Sequence, residues 1–120
     1  MKLTNNQIYN YAAQLAAFHT DIKMPVRINF FLQKNIQTII TAAQEIDANK
    51  ITIAQQFGEL NEEGTAYNIP ADRMPAANQE INDLFSLEQD LNIHIFKLDD
   101  FDGIDLTMEQ LSAIMFMIEE

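Results

Sequence analysis

The sequence predicts a mainly α fold of the α+β kind: a long central helix packed by three shorter helices, with a small two-stranded β element. Three observations carry that prediction. Residues 25–57 contain no Gly or Pro after Pro25, and alternate steps of four and three pass through Leu32, Ile36, Ile39, Ala43, Ile46, Lys50, Ile53 and Phe57. Only Lys50 breaks the apolar stripe, and this spacing lines one face of an α-helix. Thr-x-x-Gln occurs twice just before an apolar helical pattern, at Thr4/Gln7 and Thr107/Gln110, each flanked by a staple pair, Leu3 with Ile8 and Leu106 with Leu111. That is the signature of a capping box with a hydrophobic staple. Finally, nearly half of the residues are apolar while Gly and Pro number three each, a globular and helix-leaning composition.

Taken in order, the first capping box opens a helix predicted from Asn5 to about His19, with Ile8, Tyr11, Ala12, Leu15 and Phe18 inward. His19 would sit in its last turn, where a partly positive imidazole meets the negative helix end. Residues 20–24 form a short connection, which requires close packing against the long helix. Pro25 suits a first helical position and Gly58 a left-handed cap. Residues 47–50 (DANK) are poor helix formers at the polar break, the place for a bend. Val26, Ile28, Phe30, Phe31 and Leu32 cover more than one face, so this end is expected to be covered by other elements.

Residues 59–64 read as a polar turn and residues 65–69 (TAYNI) as a short strand stopped by Pro70. Asp72 is the expected cap of a third helix, Pro75 is tolerated in its first turn, and Ala77, Ile81, Leu84 and Phe85 face inward up to about Glu88. Residues 91–98 (LNIHIFKL) fit both an alternating strand and a helical face; their β-branched content favours the strand, paired with residues 65–69. The second capping box opens a final helix whose residues 113–118 (AIMFMI) are apolar all round, hence buried in the core or held for another molecule.

The 120 residues suffice for a single domain with one modest core. No apolar run reaches the length of a membrane span, and the opening residues read as a helix start, not a signal peptide. The absence of cysteine excludes disulfides and thiolate metal sites and fits a cytoplasmic setting in a host cell, or a virion. The net charge of −11 is uneven. Residues 1–57 carry five basic against three acidic side chains, a net of +2; residues 58–120 carry two against fifteen, a net of −13. Direct nucleic-acid binding needs clustered Lys and Arg, so it is not expected.

No motif names a reaction. Asp100, Asp102, Gly103 and Glu109 fall on four positions of a calcium loop, but Leu98 replaces the first ligand. The segment reads more simply as an acidic turn feeding a helix N-terminus, where Asp105 and Glu109 gain from the dipole. His94 reads as a solvated strand residue, and the two histidines lack metal-ligand spacing. Ser86 and Ser112 have no nucleophile context and no glycine loop cradles phosphate. The expectation is therefore a protein that is not an enzyme, with no cofactor and no metal.

The segments MPVRINFFLQKNIQTI, FGELNEEGTAYNIP and LTMEQLSAIMFMIE, following an amino-terminal helix, together resemble a family of small phage and prophage proteins of unknown function. Met24, Pro25, Arg27, Lys34, Asn35, Gly64, Ile69, Thr107 and Leu111 occupy the places of the family's pattern, whereas residues 51–57 lack the basic character expected there. The resemblance implies a phage-related context and no catalytic residues. The function expected is protein–protein interaction or assembly, by docking of Phe30, Phe31, Met115, Phe116, Met117 and Ile118 onto a partner or a second copy. The alternative is an acidic inhibitor that mimics nucleic acid with Glu62, Glu63, Asp99, Asp100, Asp102 and Asp105.

Overall fold

One helix sets the shape of the molecule. The computed structural model describes residues 1–16, 18 and 22–119. Strand β1 (Lys2–Thr4) leads into α1 (Asn5–Leu15), and α2 (Val26–Phe57) runs unbroken for 32 residues. At about 1.5 Å per residue such a helix is ~48 Å long. The longest molecular extent is 56 Å and the radius of gyration 18.0 Å, against about 14 Å for a compact chain of this size. Beyond α2 come β2 (Glu59–Leu60), β3 (Tyr67–Asn68), α3 (Met74–Ser86), β4 (Glu88–Asp90) and β5 (Phe96–Lys97). A 3₁₀ turn (Leu98–Phe101), α4 (Met108–Ile114), a second 3₁₀ turn (Met115–Met117) and β6 (Ile118–Glu119) complete the chain.

The protein is mainly α, with a long helix packed by shorter ones and some β structure, as the periodicity predicts. Leu32, Ile39, Ala43, Ile46 and Ile53 of the stripe are all buried. α1 packs along α2, α3 lies against both, and α4 rests on α1. Burying these side chains supplies most of the stability, since removing one Leu or Ile from such a core costs about 2–5 kcal/mol. Both capping boxes form: Thr4 Oγ1 accepts the Gln7 N–H at 3.1 Å while Gln7 Oε1 accepts that of Thr4 at 2.9 Å. Thr107 and Gln110 repeat the exchange at 3.1 and 2.8 Å. Lys50, the polar break, is accommodated by aromatic rings. Its ammonium lies 5.1 Å from the Tyr9 ring centroid and 5.8 Å from that of Phe85, and the Tyr9 hydroxyl donates to Asp47.

Several local expectations are corrected. α1 ends at Leu15, and His19 lies outside the described residues. Pro25 precedes α2 as its cap and is not its first residue. Gly58 is extended, with φ −114°, and not left-handed. The reason for glycine there is space: a Cβ would stand 2.7 Å from the Ala54 carbonyl oxygen and 3.0 Å from that of Asn68. β3 pairs antiparallel with β2 in a hairpin at the end of α2, so local closure wins over pairing with residues 91–98. Asp72 caps nothing, since α3 begins at Met74 behind Arg73 without a side-chain cap bond. α3 also stops at Ser86, because Glu88–Asp90 is taken up as β4 by pairing antiparallel with β1.

Residues 91–97 are not helical and form a strand only at Phe96–Lys97, which pairs in parallel with β6, while Leu98 already opens the 3₁₀ turn. The terminal apolar run is helical only to Ile114, then tightens and ends in that strand. The start of α2 is covered on one side only: Ile28 and Leu32 are buried while Val26 and Phe30 face water.

Candidate interaction surface

The first turns of α2 carry a row of rings that crosses to the opposite segment. Phe30 meets Phe31 edge to face at 5.3 Å between centroids, and Phe31 stacks on His94 at 4.1 Å. His94 meets Phe96 at 4.8 Å, and Phe96 meets Phe101 at 5.2 Å. His94 is therefore half-buried in a ring stack, correcting the solvated position expected from alternation. The alternation fails because residues 91–95 follow the side of α2 and not a sheet.

What holds that segment is Asn35, only 1% exposed. Its Nδ2 donates to the His94 carbonyl and its Oδ1 accepts the His94 N–H, both at 2.8 Å, so a side chain acts as one rung of a ladder. Its Nδ2 also lies 3.3 Å from the Met117 sulfur, tying the terminal turn to the same place. Asn5 does similar service beside the β1–β4 pair, donating to the Leu84 carbonyl and accepting from Gln89. Sequence reasoning missed both anchors. Asn35 has one visible signal, a polar residue adjoining the buried positions Leu32 and Ile39 on the helix.

The six residues expected to dock are divided by the fold. Phe30 is 56% exposed and Met115 41%. Phe31 is half-buried in the ring row, and Phe116 stacks on Tyr11 at 4.0 Å and 8° between planes. Met117 and Ile118 belong to the core, at 0% and 8% exposure, so neither is presented to a partner in this fold. Beside Phe30 lie side chains outside that set. Val26 is the most exposed large apolar residue of those described, Lys34 Nζ sits 5.4 Å from the Phe30 centroid, and Arg27 Cζ 5.9 Å from that of Phe31. Among the described residues no Lys or Arg pairs with a carboxylate; the one ion pair joins the amino terminus to Asp90 at 3.0 Å.

The acidic set also separates. Glu62 and Glu63 are exposed in the β2–β3 turn beyond the carboxyl end of α2. Asp99, Asp102 and Asp105 are exposed and Asp100 half-buried beside Phe101, at the end of the molecule marked by Asn35. From Asn35 to Phe57 the helix rises ~33 Å at about 1.5 Å per residue, so these carboxylates do not form one continuous face. Asp100 Oδ2 accepts the Lys97 N–H at 2.9 Å, and Gly103 turns the chain with φ +78°. Among the described residues no three His, Asp or Glu side chains converge as a metal site, and no helix is long and apolar enough to cross a membrane. No protein-family model matches the chain, and neither curated proteins nor solved structures give a match.

Proposed function

We propose that this chain is a non-enzymatic protein–protein interaction protein that docks through the first two turns of α2. Phe30 is the central contact, with Val26 beside it and Arg27 and Lys34 as flanking cations; Met115 is a separate exposed contact on the terminal turn. The observation that carries the reading is the exposure of Phe30 at 56% at the end of a ring row whose other members are half-buried or buried. An exposed aromatic ring beside an arginine is the composition of an interface centre, with the lysine placed at its rim. If the resemblance to small phage and prophage proteins holds, the context is phage-related and the role is that of an assembly or accessory component.

A photo-crosslinking side chain at position 30, in cells producing the full chain, tests the reading. Protein adducts are expected there and not at Thr41, which is exposed further along α2. Absence of adducts at position 30 rejects it. The acidic-inhibitor alternative draws support from the exposed Asp99, Asp102 and Asp105. It requires binding that collapses as salt rises, whereas docking centred on Phe30 keeps an apolar component at high ionic strength.

A further inference from the structure

We infer that the partner of the α2 surface is a second copy of this chain, bound about a two-fold axis; the inference rests on the docking reading above. The row of rings from Phe30 to Phe101 has opposite surroundings at its two ends. At one end, exposed Val26 and Phe30 lie among Arg27 and Lys34, with no acidic residue in the first turn of α2. At the other, exposed Leu98 is followed along the chain by exposed Asp99, Asp102 and Asp105, with Lys97 the one basic residue of residues 97–105. Each end therefore offers an apolar centre with charged flanks, and the signs are complementary.

Within one protomer these charges stay apart, since among the described residues none of the Lys or Arg side chains reaches a carboxylate. A two-fold axis places the basic end of each copy on the acidic end of the other and satisfies both contacts at once, as an isologous interface requires. Apolar contact of Val26 and Phe30 with Leu98 supplies the attraction that salt does not screen, and the charges set the register.

Sedimentation equilibrium of the full chain over a wide concentration range tests the inference, with circular dichroism to check folding. The wild type is expected to dimerise, and Phe30→Glu to remain monomeric while folded, because Phe30 is exposed. The double variant Arg27→Glu/Lys34→Glu and the double variant Asp99→Lys/Asp102→Lys are each expected to weaken self-association about tenfold or more, by placing like charges opposite one another. An equimolar mixture of the two double variants is expected to recover dimer, since each then meets its complement. A wild type monomeric at every concentration, a dimer indifferent to both charge reversals, or a mixture that stays monomeric overturns the inference. Adducts from position 30 with other proteins but never with the chain itself would reject the second copy and leave the docking reading standing.

Discussion

Asn35 and His94, 59 residues apart in the chain, are joined by two hydrogen bonds of 2.8 Å between the side-chain amide of one and the backbone of the other. A single helical residue thereby fixes where the extended segment lies, and with it the stack of His94 on Phe31. The proposed docking surface depends on this anchor, although Asn35 itself is buried.

Replacing Asn35 by Leu should therefore be costly despite its apolar surroundings. The His94 N–H and carbonyl lose their partners, and each unsatisfied buried group costs about 1–3 kcal/mol. The expected loss is ~2–6 kcal/mol in urea unfolding, accompanied by faster hydrogen exchange across residues 92–95. An Asn35→Leu variant as stable as the wild type would show that the segment is held by its apolar contacts alone.

Lys50 gives a second prediction. Its ammonium faces the π-clouds of Tyr9 and Phe85, which meet edge to face at 5.4 Å. Lys50→Glu replaces attraction by repulsion from both rings and from Asp47, and should destabilise by about 1–3 kcal/mol. Lys50→Arg keeps the cation and should fall within about 0.5 kcal/mol of wild type. Thermal melts of the pair decide it; equal losses would reduce Lys50 to a packing stem.

Two glycines should respond to alanine for different reasons. At Gly58 the new Cβ collides with two backbone oxygens at the joint between α2 and the hairpin, neither of which can give way cheaply. Overpacking of this kind costs about 1–3 kcal/mol. At Gly64 the space is open but φ is +72°, so alanine bears only the left-handed penalty of about 1–2 kcal/mol. Gly64→Asn should recover part of that loss, since asparagine tolerates this conformation, whereas Gly58→Asn should not. Chemical denaturation of the four variants checks the pattern.

The two threonine caps are expected to contribute alike. Thr4→Ala and Thr107→Ala each leave a backbone N–H at a helix start without its acceptor, for a loss of about 1 kcal/mol apiece. Serine at either position should restore most of it. A serine variant no better than alanine, in the same unfolding experiment, would show that the oxygen is not what matters there.

How much of this was legible in the sequence follows the range of the interactions involved. The capping boxes span four residues and the stripe of α2 repeats within one helix, so spacing alone identifies them. Pairing of β3 with β2 was missed because Glu59–Leu60 reads as part of a polar turn, and only its proximity to residues 67–68 after Gly58 makes it a strand. The expected docking set is divided by the fold: composition cannot say that Met117 turns inward beside Asn35 while Met115, two residues earlier, faces water.

By itself, the sequence determined the helical character, the length of α2, the face it buries and the two helix starts, because each is written in local periodicity and side-chain chemistry. Tertiary structure alone decided that Asn35 holds His94, that Lys50 rests among rings and that Phe30 is left in water while Phe31 is covered. Those outcomes depend on contacts between residues tens of positions apart, and no local spacing encodes which distant backbone or ring a side chain will meet.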